Sequence, residues 1–347
     1  MVQTMKFYLA PMEGLTGHIF RRTYQKYFHN IDRYFTPFIV NKKLSSKEKN
    51  DILPENNPGM CVIPQIMSNN AEDFLQITKE IEKYGYDTVN LNLGCPSGTV
   101  VNKKRGAGFL AYPQDLDDFL SKVYAESTLK ISIKTRIGMN SEEEWGQLLD
   151  IYKKYPLEEL IIHPRIQKDF YKHTPRMDAY QKAVEEINVP LCYNGDIYSV
   201  ERYQEFRTQF PETERVMLGR GILKNPGLVD EIKRAERKEN ASTSGMAGTY
   251  WLPHADCLPY TFGVQQENEP PKLTKETLRA FCDDICREYS LVMSGEKNTL
   301  FKMKELWSYM GQSFTEPEKY LKKIRKAERL AEYQVAVAAL FREQELK

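Results

Sequence analysis

The chain has 347 residues, 41% hydrophobic and 28% charged, which is ordinary for a globular protein and long enough for one large domain plus a smaller one. Its 49 Lys and Arg against 48 Asp and Glu leave a net charge of +1, so the molecule as a whole does not advertise a polyanionic partner. No uninterrupted apolar run of about 18 residues occurs, which excludes a membrane-spanning helix, and the opening residues lack the basic, apolar and small-residue succession of a signal peptide. The six cysteines, at 61, 95, 192, 257, 282 and 286, form no Cys-x-x-Cys pair. That argues against a zinc site or a disulfide framework, and for a reducing cytoplasm.

Short apolar runs alternate with helical periodicity from the start. The pattern predicts strands at 7–11 and 33–40 around a helix at 19–28, then a third strand at 61–67. An amphipathic helix follows at 71–84, where Phe74, Ile77 and Ile81 recur at helical spacing. Next come a strand at 87–93, a helix at 113–125, a strand at 129–136, and a helix at 141–155 opened by a Ser-x-x-Glu capping box of Ser141 and Glu144. Strands at 160–163, 189–193 and 215–218, interleaved with helices at 177–187, 200–210 and 228–239, bring the number of strands to eight. Eight strands alternating with helices over roughly 240 residues predict a (β/α)8 TIM barrel. The alternative, a doubly wound open sheet, lacks its Gly-x-Gly-x-x-Gly turn after the first strand.

Barrel enzymes keep their chemistry at the C-terminal ends of the strands. Those ends carry Pro11-Met12-Glu13, Gln65, Asn92 with Cys95, Lys134 with Arg136, His163 with Arg165, Asn194-Gly195-Asp196 and Gly219-Arg220-Gly221, while the strand middles are apolar. Cys95 stands where the fourth strand empties into a loop. Gly94 permits a sharp turn before it and Pro96 forces it into extended geometry, so the thiol is displayed rather than filed into a helix. The glycine-rich turns at 194–196 and 219–221 follow the last two strands, where barrels commonly bind a phosphate, and Arg220 adds charge there. Lys134 could stabilise an anionic reduced flavin; an internal salt bridge is the plainer role for such a lysine.

Residues 240–271 are rich in Ser, Gly, Pro and Asn, and Trp251, Tyr260 and Phe262 follow no period, as in a linker or insertion. Helices are predicted beyond it at 274–294, 299–311 and 316–345. The expected division is a barrel over 1–239, a linker over 240–271 and a helical domain over 272–347. Basic clusters occur at Lys42, Lys43, Lys47 and Lys49, at Lys103, Lys104 and Arg105, and at Lys319, Lys322, Lys323, Arg325, Lys326 and Arg329.

In order and spacing, Ala10-Pro-Met-Glu-Gly14, Asn92-Leu-Gly-Cys-Pro96 with Val101 and Gly106-Ala-Gly108, Lys134-Thr-Arg-Ile-Gly138, His163-x-Arg165 with Gln167 and Tyr171, Asn194-Gly-Asp196 and Gly219-Arg-Gly221 resemble the tRNA-dihydrouridine synthase family of FMN-dependent, bacterial type. The match runs nearly the length of the barrel, and the tail looks like the family's RNA-binding helical domain. The resemblance implies a flavoenzyme that uses NADPH to reduce the C5–C6 bond of particular uridines in tRNA. It implies that Pro11, Met12, Glu13, Gln65, Lys134, His163, Asn194, Gly195, Asp196, Gly219 and Arg220 hold FMN and that Cys95 is the general acid, giving C5 a proton as hydride reaches C6. Asn92, Lys103, Arg105, Arg165, Lys322, Lys323 and Lys326 are the residues expected to meet the RNA. No metal and no membrane are implied, and the tail's lack of a long heptad seam suggests a monomer. Two departures stand out: the family's usual His-Gly-Arg is His163-Pro164-Arg165 here, and the 240–271 segment looks inserted. Two other readings remain, a flavin-dependent reductase of a free pyrimidine or other small molecule, and an RNA-binding protein whose catalysis is incidental.

Overall fold

The computed structural model describes residues 4–243 and 270–347. The expected linker over 240–271, with Trp251, Cys257, Tyr260 and Phe262, lies almost wholly outside the described residues. The strands are β1 (Lys6–Leu9), β2 (Arg33–Phe35), β3 (Val62–Ile63), β4 (Gln65–Ile66), β5 (Thr88–Leu93), β6 (Lys130–Gly138), β7 (Leu160–Ile166), β8 (Leu191–Tyr193) and β9 (Arg215–Leu218). They pair in parallel in the order β3-β2-β1-β9-β8-β7-β6-β5-β4. Because β3 and β4 are two halves of one stretch divided by Pro64, the ends of this sheet meet and the barrel closes. The eight expected strands are therefore present, with the third interrupted where proline has no N–H for the ladder; the Pro64 carbonyl still accepts from the Asn90 N–H at 2.9 Å.

The helices are α1 (His18–Phe28), α2 (Ser46–Ile52), α3 (Ala71–Glu82), α4 (Gly98–Val101), α5 (Pro113–Glu126), α6 (Glu144–Tyr152), α7 (Met177–Glu186), α8 (Val200–Gln209), α9 (Arg220–Lys224), α10 (Leu228–Thr243), α11 (Lys275–Val292), α12 (Glu296–Met310), α13 (Glu318–Lys326) and α14 (Leu330–Glu343). Two expectations change. The Glu144 carboxylate does accept N–H bonds from Met139, Asn140 and Ser141, but the Ser141 hydroxyl accepts from Glu143 rather than Glu144, so half of the capping box forms and α6 starts three residues later than Ser141. The single helix expected over 316–345 is two, α13 and α14. The chain turns at Ala327, which is buried, and Glu296 of α12 accepts the Leu330 N–H at 3.1 Å, fixing the start of α14.

Tyr8, Phe35, Ile63, Ile161, Cys192 and Met217 fill the middle of the barrel. Glu159, buried just before β7, lies 3.6 Å from Arg33 and 3.7 Å from Arg215. A plugged barrel leaves only its C-terminal mouth for ligands. The helical tail shares the barrel's core: Phe281 of α11 meets Phe20, Tyr24 and Phe28 of α1 edge-to-face, at 5.9, 6.2 and 5.3 Å between ring centroids. Cys95, Cys192, Cys282 and Cys286 are free thiols, whereas Cys61 is disulfide-bonded. Among the described residues no helix is long and apolar enough to cross a membrane.

Candidate active site

A cavity of about 630 Å³ opens at the strands' C-terminal ends, and it gathers Pro11, Met12, Glu13, Asn92, Cys95, Lys134, His163, Asn194, Gly195, Gly219 and Arg220 around one volume. Phe38, Phe170, Tyr171 and Tyr198 join them from the loops, and α12 of the tail closes one side with Glu305 and Tyr309. Lys302 of the same helix donates to the Gly14 carbonyl at 2.7 Å, anchoring α12 on the loop after β1.

The thiol's position is built from β5 outward. The Asn92 side-chain oxygen accepts the N–H groups of Gly94 and Cys95, both at 3.0 Å. Its amide nitrogen donates to Gln65 at 2.7 Å, Gln65 donates to Asn90 at 2.8 Å, and Asn90 donates to Ser132 at 2.8 Å. Gln65 is fully buried in this chain of amides, behind the cavity wall rather than on it. Gly106 sits at φ 55°, and a Cβ there would stand 2.9 Å from the Cys95 carbonyl oxygen, so the loop passes where only glycine fits. Arg136 is fully buried and donates to the carbonyls of Gly94, Ile166 and Phe170 at 2.9, 2.9 and 2.8 Å. It thereby laces the thiol loop to the loop after β7. Burial pushes the Cys95 thiol up, against the opposing pull of the Ser97 N–H and of Arg136 and Lys134. The group is therefore a protonated thiol at neutral pH.

The opposite wall is cationic. Among the described residues no carboxylate pairs with Lys134, so the plainer salt-bridge role does not hold; burial, followed by repulsion from Arg136, pulls its ammonium down to about 8. Burial and the cations Arg136, Lys134, Arg165 and Arg220 hold His163 well below the ordinary imidazole range. Arg165 approaches its Nε2 at 3.0 Å, so a neutral His163 accepts there and carries its hydrogen on Nδ1. Asp196 takes Arg165 in a fork at 3.0 and 2.5 Å and Arg220 at 2.6 Å. Those arginines hold its carboxyl down although burial opposes them. Asp196 and the buried Arg165 therefore stand behind the wall and aim Arg220, with Tyr198 donating to the same carboxylate at 3.0 Å. Two of the wall's cations, Arg165 and Arg220, are thus shared by one carboxylate, that of Asp196. On β7, Arg136 pairs with His163 but Gly138 with Ile166, so the strand carries one extra residue over the stretch that contains Pro164, which has no N–H for the ladder.

Gly219 allows close approach of another kind, since a Cβ there would be 3.2 Å from both the Ala10 Cβ and the Met12 sulfur. Tyr171, named in the motif, lies 4.4 Å from the Arg220 guanidinium and 6.0 Å from the His163 ring. Lys103 and Arg105 lie on the loop beyond Cys95, where Asn69 pins them by accepting from Arg105 and donating to the Lys103 carbonyl, each at 3.3 Å. Lys322, Lys323 and Lys326 lie apart, exposed on α13, whose other face buries Tyr320 and Ile324. None of the three has an ion-pair partner among the described residues. Phe38, Phe170, Tyr198, Glu305 and Tyr309 escape a reading of strand ends because they come from loops and from α12. Among the described residues no cluster of three or more His, Cys, Asp or Glu is arranged for a metal.

A family model described as dihydrouridine synthase matches residues 8–269, leaving the whole helical tail beyond the match. The tRNA-dihydrouridine synthase B of Pasteurella multocida (strain Pm70) is 25% identical over 237 residues, 68% of this chain and 71% of that protein. A probable tRNA-dihydrouridine synthase of Staphylococcus aureus (strain COL) is 28% identical over 237 residues, 66% and 71% of the two chains. The structure of morphinone reductase in complex with tetrahydroNAD overlays on 66% of this chain and 86% of its own, with a TM-score of 0.46 and 12% identity.

Proposed function

The chain belongs to the dihydrouridine synthase family, and from that premise we propose that it reduces uridines in tRNA to 5,6-dihydrouridine, with FMN in the cavity and NADPH as reductant. One observation carries the reading: a single cavity holds a thiol kept protonated by its surroundings and, among cations, a half-buried ammonium with no carboxylate partner among the described residues. The second feature fits a flavin, because a desolvated ammonium without a counter-charge is costly until electron-rich or anionic atoms meet it. Lys134 and the Nδ1–H of His163 would face the ring, while Arg220, Asn194, Gly195 and Gly219 would hold the phosphate. When bound, FMN supplies hydride.

The protein's own residues supply the rest. Cys95 gives its proton to C5 as negative charge develops there, and a thiol of raised pKa keeps that proton available through neutral pH. Asn92 and Arg136 fix where the sulfur stands, with Gln65 behind Asn92. The helical tail serves as the RNA-docking domain, with Lys103, Arg105, Lys322, Lys323 and Lys326 meeting phosphates. A target base inside folded RNA leaves its stack to reach the cavity, at a cost of a few kcal/mol. The test is spectroscopic: purified protein carries a flavin absorbance that NADPH bleaches, and unmodified tRNA restores it faster than free uridine does. A colourless protein, or recovery indifferent to tRNA, removes the reading.

A further inference from the structure

Phe170 combines three properties rarely found together. Its φ is +49° and ψ −98°, a region that L residues with bulky side chains avoid. Its side chain lines the cavity, yet the residue is 44% exposed. No aromatic ring or cation packs on it among the described residues, unlike its neighbour Tyr171, which is committed to Arg220, Arg136 and His163.

The strained backbone is held from several sides. Arg136 donates to the Phe170 carbonyl at 2.8 Å, the Phe170 N–H donates to Gln167 at 3.0 Å, Asp169 accepts the Ile166 N–H at 3.0 Å, and the Lys172 N–H donates to Asp169 at 2.9 Å. Asp169 is itself paired with Arg176. Strain that persists under this many constraints, at the lip of a reaction cavity, points to use. Phe170 is thus a cavity-lining aromatic residue that stays substantially exposed.

We propose that Phe170 is a wedge: its ring stacks in the gap a target uridine leaves in the RNA and so holds that base extruded into the cavity. The inference rests on the reading of the chain as a tRNA-reducing enzyme. An aromatic side chain that stacks on the bases flanking the gap offsets the cost of unstacking in a way an aliphatic one does not, and Phe170 lines the same cavity as the thiol. Phe170 is thus a positioning residue, distinct from Cys95.

The test uses the full-length flavin-loaded protein and unmodified tRNA transcripts. Phe170→Ala and Phe170→Leu lower kcat for dihydrouridine formation about tenfold or more while tRNA affinity changes less than threefold, and Phe170→Tyr restores turnover to within about twofold of wild type. A merely apolar filler would be rescued by leucine, so activity in Phe170→Leu equal to wild type overturns the proposal. Independently of activity, Phe170→Gly melts above Phe170→Ala by about 1–3 °C, because glycine accepts the positive φ; the reverse order overturns the strain argument. Wild-type protein that makes no dihydrouridine would instead sink the proposed function, a failure the melting comparison does not share.

Discussion

The side-chain oxygen of Asn92 accepts the backbone N–H of Cys95 at 3.0 Å, so the last inward polar residue of β5 sets the loop that carries the thiol. The same oxygen takes the Gly94 N–H, and Gln65 holds the amide from behind. Asn92→Ala should therefore lower turnover at least tenfold while flavin stays bound, and cost about 1–2 kcal/mol of stability for two lost N–H partners. Gln65→Leu should show a smaller loss of the same kind. Steady-state kinetics with flavin quantitation and denaturant melts check both.

Lys134 gives a prediction about pH. Its pKa is lowered in the fold to about 8, so the unfolded chain binds more protons between there and the ordinary lysine value. Stability of the flavin-free protein should accordingly rise as pH climbs from about 8 to about 10 relative to Lys134→Met, with the penalty fully present below pH 8. At pH 7 the flavin-free Lys134→Met variant should melt above wild type, on the order of 1 kcal/mol more stable, yet bind FMN more weakly. Paired thermal melts and FMN titrations test the sign of each.

Burial raises the Cys95 pKa, so thiolate is scarce at neutral pH. Alkylation by iodoacetamide at pH 7 should be slower than that of free cysteine, since the thiolate is the nucleophile. The rate of dihydrouridine formation should be flat through pH 7–8 and fall only on the alkaline side, as the proton is lost. Alkylation faster than free cysteine would contradict the protonated state.

Much of the barrel was legible in the sequence because short apolar runs and helical periodicity are local signals; the interruption at Pro64 follows from its missing N–H, and the β7 bulge spans the stretch that holds Pro164. The cavity residues at strand ends were legible for the same reason. Gln65, Arg165 and Asp196 were legible as mouth residues but not as supports, since only the fold shows that Asn92, His163 and Arg220 stand in front of them. Glu305 and Tyr309 read as part of an ordinary amphipathic helix; nothing local says that α12 is held at the mouth by Lys302 reaching Gly14, 288 positions away. Phe170 carries no sequence mark of its positive φ, which comes from the bonds of Arg136 and Asp169.

Lys322, Lys323 and Lys326 project from one exposed face of α13. Reversing all three to Glu should weaken tRNA binding and flatten its salt dependence by roughly two to three units of log–log slope, each phosphate contact accounting for about 0.9. Filter binding between about 50 and 200 mM salt measures it; an unchanged slope would place the RNA elsewhere.

The most direct measurement is mass-spectrometric nucleoside analysis of unmodified tRNA after incubation with NADPH and either wild-type protein or Cys95→Ala. The proposed chemistry predicts dihydrouridine with wild type, and with Cys95→Ala a yellow, flavin-bound protein that leaves the uridines intact. Wild-type protein that forms none, or a Cys95→Ala variant that forms as much as wild type, would contradict it.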